Sequence, residues 1–128
     1  MRIIKADEVL EYESPGQPFR RVRLLATPET AGTSVAVGMS IYGRGMFAPP
    51  HTHNGEEIII VIHGKGIFRG KDGEVVATPG TILIFPPGEE HSLENRDSPT
   101  LEFIFIYSKP EDIKPIKEKW IPHQPSKP

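Results

Sequence analysis

The amino-acid sequence predicts an all-β sandwich or barrel. Short apolar runs recur along the chain, most of them alternate or stay apolar as strands do, and Gly and Pro stand between them. Near the N-terminus, a helical turn is compatible only with Lys5 to Leu10. Phe19 to Leu25 alternates as an edge strand would. Val35 to Tyr42 sets Val35, Val37, Met39 and Ile41 against small or polar residues, the pattern of a half-buried strand. Ile58 to Ile62 is continuously apolar, as in a strand covered on both faces. Lys71-Asp72-Gly73 lies between two short apolar runs and reads as a hairpin turn. Thr81 to Phe85 is a strand stopped by Pro86-Pro87, and Leu101 to Tyr107 is the last strong one. On it Phe103, Phe105 and Tyr107 share one face and Ile104 and Ile106 the other, and the aromatic face is expected inside. The tail from Lys109 holds five prolines. It should form no long regular element, apart from a helix over Glu111 to Trp120 if Pro115 is tolerated. Trp120 and Ile121 are its expected apolar anchors, with the final residues loose.

Composition narrows the function. A chain of 128 residues is one domain, long enough to bury a core without staples. Residues 1–34 are expected to pack on the barrel or a partner subunit, 35–108 to form the barrel and 109–128 the tail. There is no Cys, so disulfides, thiolate ligands and cysteine nucleophiles are excluded. With 15 basic and 17 acidic residues and a net charge of −2, neither nucleic acid nor membrane is an expected partner. A small molecule or a second copy of the chain is. The first residues carry acids and no long apolar stretch, which indicates no signal peptide or membrane span and makes the cytoplasm the expected location. Few Asn and Gln, many Pro and abundant Lys, Glu and Ile follow the trend of heat-adapted proteins.

One stretch carries the chemistry. His51 and His53 are two apart, so on extended backbone both imidazoles leave the same face. A straight strand would carry Glu57 about 13 Å beyond His53, too far to share an ion with ligand bonds of about 2 Å. The chain must turn between them, and Asn54-Gly55 offers turn chemistry because both residues tolerate positive φ. His91, behind Pro86-Pro87-Gly88, would complete the set. Three imidazoles and a carboxylate suit one divalent transition ion, iron, manganese, nickel, zinc, copper or cobalt, and disfavour calcium and magnesium.

The sequence here resembles the small single-domain cupins of the RmlC-like superfamily. Gly45, His51, His53, Glu57 and Gly64 fill Gly-x5-His-x-His-x3-Glu-x6-Gly. Gly80, Pro86, Gly88, His91 and Asn95 fill Gly-x5-Pro-x-Gly-x2-His-x3-Asn. The resemblance covers residues 35 to 108. It implies a jelly-roll barrel, or double-stranded β-helix, with irregular or helical terminal segments, a metal held by His51, His53, Glu57 and His91, and a homodimer paired through the N-terminal strands. Gly80 and Asn95 are expected to be structural.

Six-coordination would leave two positions open beside four protein ligands, enough for a chelating substrate or for substrate with dioxygen. Tyr42, Arg44, Phe103, Phe105 and Tyr107 are the candidate pocket residues, Arg44 as a counter-charge for a carboxylate. Two function classes follow. One is a metalloenzyme acting on a small oxygenated molecule as a dioxygenase, isomerase, decarboxylase or lyase. The alternative is a non-catalytic cupin that binds or senses a ligand in the same cavity, a reading lowered by the lack of a helix-turn-helix pattern in these residues.

Overall fold

The structure is a computed structural model that describes residues 1–125; the expectation of loose final residues falls on 126–128 and lies outside the described residues. Two antiparallel sheets face each other. In chain order the strands are β1 (Glu11–Ser14), β2 (Gln17–Ala26), β3 (Ala36–Gly43), β4 (Phe47–His51), β5 (Glu57–His63), β6 (Gly66–Gly70), β7 (Gly73–Ala77), β8 (Ile82–Phe85), β9 (His91–Glu94), β10 (Thr100–Tyr107) and β11 (Ile121–His123). Seven form one sheet in the order β11-β1-β2-β3-β10-β5-β8, and four form the other as β4-β9-β6-β7. A 3-10 turn spans Ala6–Glu8, and helix α1 (Pro28–Ala31) follows β2. The hairpin falls where Lys71-Asp72-Gly73 indicates, with Gly70 opposite Gly73.

The inner face of the large sheet is built from rings opposite small residues. Phe103, Phe105 and Tyr107 of β10 point inward and are buried, as are Ile59 and Val61 of β5. Opposite them on β3 the inward set is Ala36, Gly38, Ser40 and Tyr42. This reverses the phase that alternation suggests for that strand: Val37, Met39 and Ile41 face outward. The cause is space. Gly38 pairs with Phe105, and a Cβ at Gly38 would overlap the Phe105 ring. A strand opposite such rings must give its small residues to the interior.

The outer face is consequently aliphatic. Ile84, Ile58, Ile106 and Val37 form one row across β8, β5, β10 and β3, and Ile82, Ile60, Ile104 and Met39 form the next. Ile62, Ile82 and Ile84 are exposed and the others half-buried. Ile58 to Ile62 is thus covered on one face only within the single chain.

Each end differs from expectation in one respect. β2 is an interior strand, since β1 pairs along it and β11 pairs outside β1. The tail forms a 3-10 turn, Pro110–Ile113, that runs into helix α2 (Lys114–Lys119), with Pro115 in its first turn where a missing N–H costs nothing. Its buried anchors are Ile113 and Ile116, with Trp120 partly buried against the core, whereas Ile121 is exposed.

Candidate metal centre

His51 ends β4 in the small sheet and Glu57 begins β5 in the large one, so the chain crosses between sheets over five residues, Thr52 to Glu56. His53 lies in that crossing, past the end of the strand. The turn there does not use positive φ, contrary to the expectation for Asn54-Gly55. Gly55 is required for room: a Cβ would stand 2.7 Å from Ser108 Oγ and 2.8 Å from Lys109 Cγ. The turn is held by Asp112, whose carboxylate accepts from the amides of Asn54 (3.3 Å) and Gly55 (2.9 Å). His91 begins β9, which pairs with β4 so that His91 stands opposite His51.

The four side chains meet. One donor atom from each of His51, His53, Glu57 and His91 lies within 4.8 Å of all the others. Two of the rings are aimed by backbone carbonyls, His51 Nδ1 at 2.7 Å from Pro49 O and His91 Nδ1 at 3.0 Å from Glu89 O. With Nδ1–H donating, His51 Nε2 is left as a free lone pair, the arrangement that backbone carbonyls impose on metal-bound imidazoles, while His91 Nε2 stands 2.8 Å from Glu57 Oε1. His91 also stacks on Phe85, ring centroids 4.2 Å apart and nearly parallel.

His53 Nε2 supplies the test of fit to a metal. It is buried and stands 3.3 Å from Glu57 Oε1, close enough for an ion pair but out of line for a hydrogen bond, so it is the one orphaned buried side-chain N or O among the described residues. An unpaired buried nitrogen costs free energy unless something accepts its lone pair. A cation at the centre of the cluster would do that, and the donor set of three nitrogens and one oxygen fits a divalent transition ion.

Electrostatics agree with a compact polar cluster in apolar surroundings. Burial drives the His51 imidazole down to about 4, more than the Pro49 carbonyl raises it. Burial also acts to raise the Glu57 carboxyl, but the His53 and His91 imidazoles beside it outweigh that and hold Glu57 below the usual carboxylate range. For His91 burial acts to lower the imidazole, and the Glu57 contact at 2.8 Å reverses the sign. Burial raises the Tyr42 and Tyr107 phenols, Tyr107 strongly, so both stay protonated at neutral pH.

Above the cluster opens a cavity of about 290 Å³. Tyr42, Phe103, Phe105 and Tyr107 line it, and Ile116 and Trp120 from the tail close one side. Arg44 does not: its Nε donates to Asp97 O at 3.1 Å at an exposed position. The arginine on the cavity wall is Arg20 of β2, whose Nε donates to Tyr42 Oη at 3.0 Å and whose guanidinium carbon is 4.8 Å from the Trp120 ring centroid. The sequence does hold a signal for Arg20, which is in phase with the buried Val22 and Leu24 on the inward face of β2. His63 is exposed and His123 binds Glu13 at 3.1 Å, both remote from the cluster.

Against known proteins, the profile of the AraC-like ligand binding domain matches residues 40–128. The chain belongs to that family. Over 57 residues it is 35% identical to the oxalate-binding protein of Thermotoga maritima, covering 44% of this chain and 47% of the relative. A predicted oxalate decarboxylase from Thermotoga maritima superposes with a TM-score of 0.72 at 24% identity, over 82% of this chain and 96% of that one. An RmlC-like cupin with a double-stranded β-helix from Methanocaldococcus jannaschii superposes at 0.62 and 24% identity, over 80% and 92%. These superpositions establish the fold: a cupin double-stranded β-helix. The chain spans about half the length of the first curated relatives it matches. Among the described residues no helix is long and apolar enough to cross a membrane.

Proposed function

We propose that this chain is a metal-binding cupin that acts on a small oxygenated organic molecule held in the aromatic cavity. The observation that carries the reading is the orphaned Nε2 of His53 inside a cluster whose other imidazoles are already aimed by carbonyl groups. His51, His53, Glu57 and His91 would hold one divalent transition ion, which when bound supplies Lewis-acid or redox chemistry. The protein's part is positioning and exclusion. Pro49 and Glu89 carbonyls fix the ring tautomers, and Asp112 fixes the crossing that delivers His53 and Glu57. Phe103 and Phe105 keep the floor dry, while the protonated phenols of Tyr42 and Tyr107 offer hydrogen bonds to ligand oxygens. Dioxygenase, isomerase, decarboxylase and lyase chemistry are all compatible with such a site.

The family supports a second reading, reversible ligand binding without turnover, since its name describes ligand binding. Elemental analysis of protein reconstituted with iron, manganese, nickel and zinc, beside a His51→Ala/His91→Ala variant, tests the metal. One equivalent in the wild type and none in the variant is expected; equally little in both would overturn the proposal. Oxygen uptake and product screens on hydroxy acids, diketones, phenols and sugar phosphates then separate turnover from binding.

A further inference from the structure

β2 carries three arginines within four residues, and their fates differ. Arg21 and Arg23 point to the outer side and are paired with Glu11 at 2.8 and 2.9 Å, Arg21 also with Glu13 at 3.3 Å. Arg20 points to the cavity. Among the described residues it has no carboxylate partner; Nε is committed to Tyr42 Oη, and neither Nη atom meets an acceptor. A guanidinium presents five donors in a fixed plane, so most of this one's capacity is open toward the cavity. The two carboxylates that share the wall cannot take it up, because Glu57 is held by His53 and His91 and Asp112 by the amides of Asn54 and Gly55. Tyr42 and Trp120 flank the guanidinium, 5.3 and 4.8 Å from its carbon to the ring centroids, which fixes its plane without neutralising it.

We infer that Arg20 is the anion anchor of the cavity and that the ligand is a small organic acid. Its carboxylate takes the two Nη groups side by side, its apolar body lies along Phe103 and Val22, and its second oxygen function faces the histidine cluster. A cavity of about 290 Å³ suits a small acid. The assignment rests on the reading of this cavity as the ligand site, and the metal and the anchor are tested separately.

Trp120 is the chain's only tryptophan and touches the anchor, so its fluorescence reports occupancy. Salicylate and its neutral isostere salicylamide are titrated into wild type, Arg20→Gln and Arg20→Lys, each with and without zinc, with circular dichroism to verify the fold. Salicylate should bind the wild type at least about tenfold tighter than salicylamide, Arg20→Gln should erase that preference, and Arg20→Lys should keep part of it. Equal affinities for acid and amide, or no saturation by either up to solubility, overturn the anchor, as does an undiminished preference in Arg20→Gln. An acid preference that depends on Arg20 in protein that takes up no zinc supports the anchor while removing the metal reading; zinc uptake with no acid preference does the reverse.

Discussion

Gly45 and Gly64 are both motif glycines with positive φ, +87° and +73°, yet their surroundings are opposite. A Cβ at Gly45 would meet nothing within 4 Å, whereas one at Gly64 would overlap the Thr100 carbonyl, with Leu101 Cα 3.2 Å away. Gly45→Ala should therefore cost only the left-handed penalty of an L-residue, about 1–2 kcal/mol. Gly64→Ala incurs the same penalty and must also separate the β5–β6 turn from the start of β10, a displacement of backbone rather than of a flexible side chain. Overpacking of this kind adds about 1–3 kcal/mol. With a urea slope of about 1.5 kcal/mol/M, the midpoint of Gly64→Ala should fall roughly 0.7–2 M below that of Gly45→Ala. Coincident midpoints would refute the claim that close approach, and not φ alone, dictates glycine at position 64.

Asn95 is fully buried, its amide nitrogen donating to the carbonyls of Tyr42 (2.9 Å) and Ser98 (3.0 Å) and its oxygen accepting from Ser98 N. Asn95→Ala should cost about 3 kcal/mol in urea unfolding and leave metal stoichiometry unchanged in the folded fraction. Asp112→Ala frees the amides of Asn54 and Gly55, so metal affinity measured by chelator competition should drop about tenfold, more than the donor set alone would require. In the metal-free protein the His51 imidazole lies near 4 against 6.5 unfolded, so the unfolded chain binds more protons between those values. Stability from this group is complete above pH 6.5 and is lost as pH falls toward 4, at most about 3 kcal/mol. The wild-type minus His51→Gln difference in unfolding free energy, followed over that window, should show this slope; a flat difference would contradict the burial argument.

The meeting of His51, His53 and Glu57 was legible in their spacing, two residues and then a turn, whereas His91, distant in sequence, was placed with them by the second cupin motif. The strand character of Ile58 to Ile62 and Leu101 to Tyr107 was likewise legible in local pattern. Which face of β3 turns inward was not. That choice depends on Phe105, more than sixty residues away, whose ring leaves room for Gly38 and for nothing larger. The cavity arginine was hidden differently. Arg20, Arg21 and Arg23 look alike in sequence, and only the phase set by Val22 and Leu24 separates the inward one from the two that Glu11 holds outside. In the tail the helix allowed over Glu111 to Trp120 forms, because Pro115 sits in its first turn; only the anchors differ, Ile113 and Ile116 being buried where Ile121 is exposed.

Pro122 gives the tail one more consequence. It sits in the middle of β11, the outermost strand on one margin of the seven-stranded sheet, and offers no amide hydrogen to an incoming strand. On the other margin β8 is only four residues long and runs straight into Pro86-Pro87. Both rims are thus poor templates for sheet extension, a safeguard against fibril growth in a protein so rich in isoleucine.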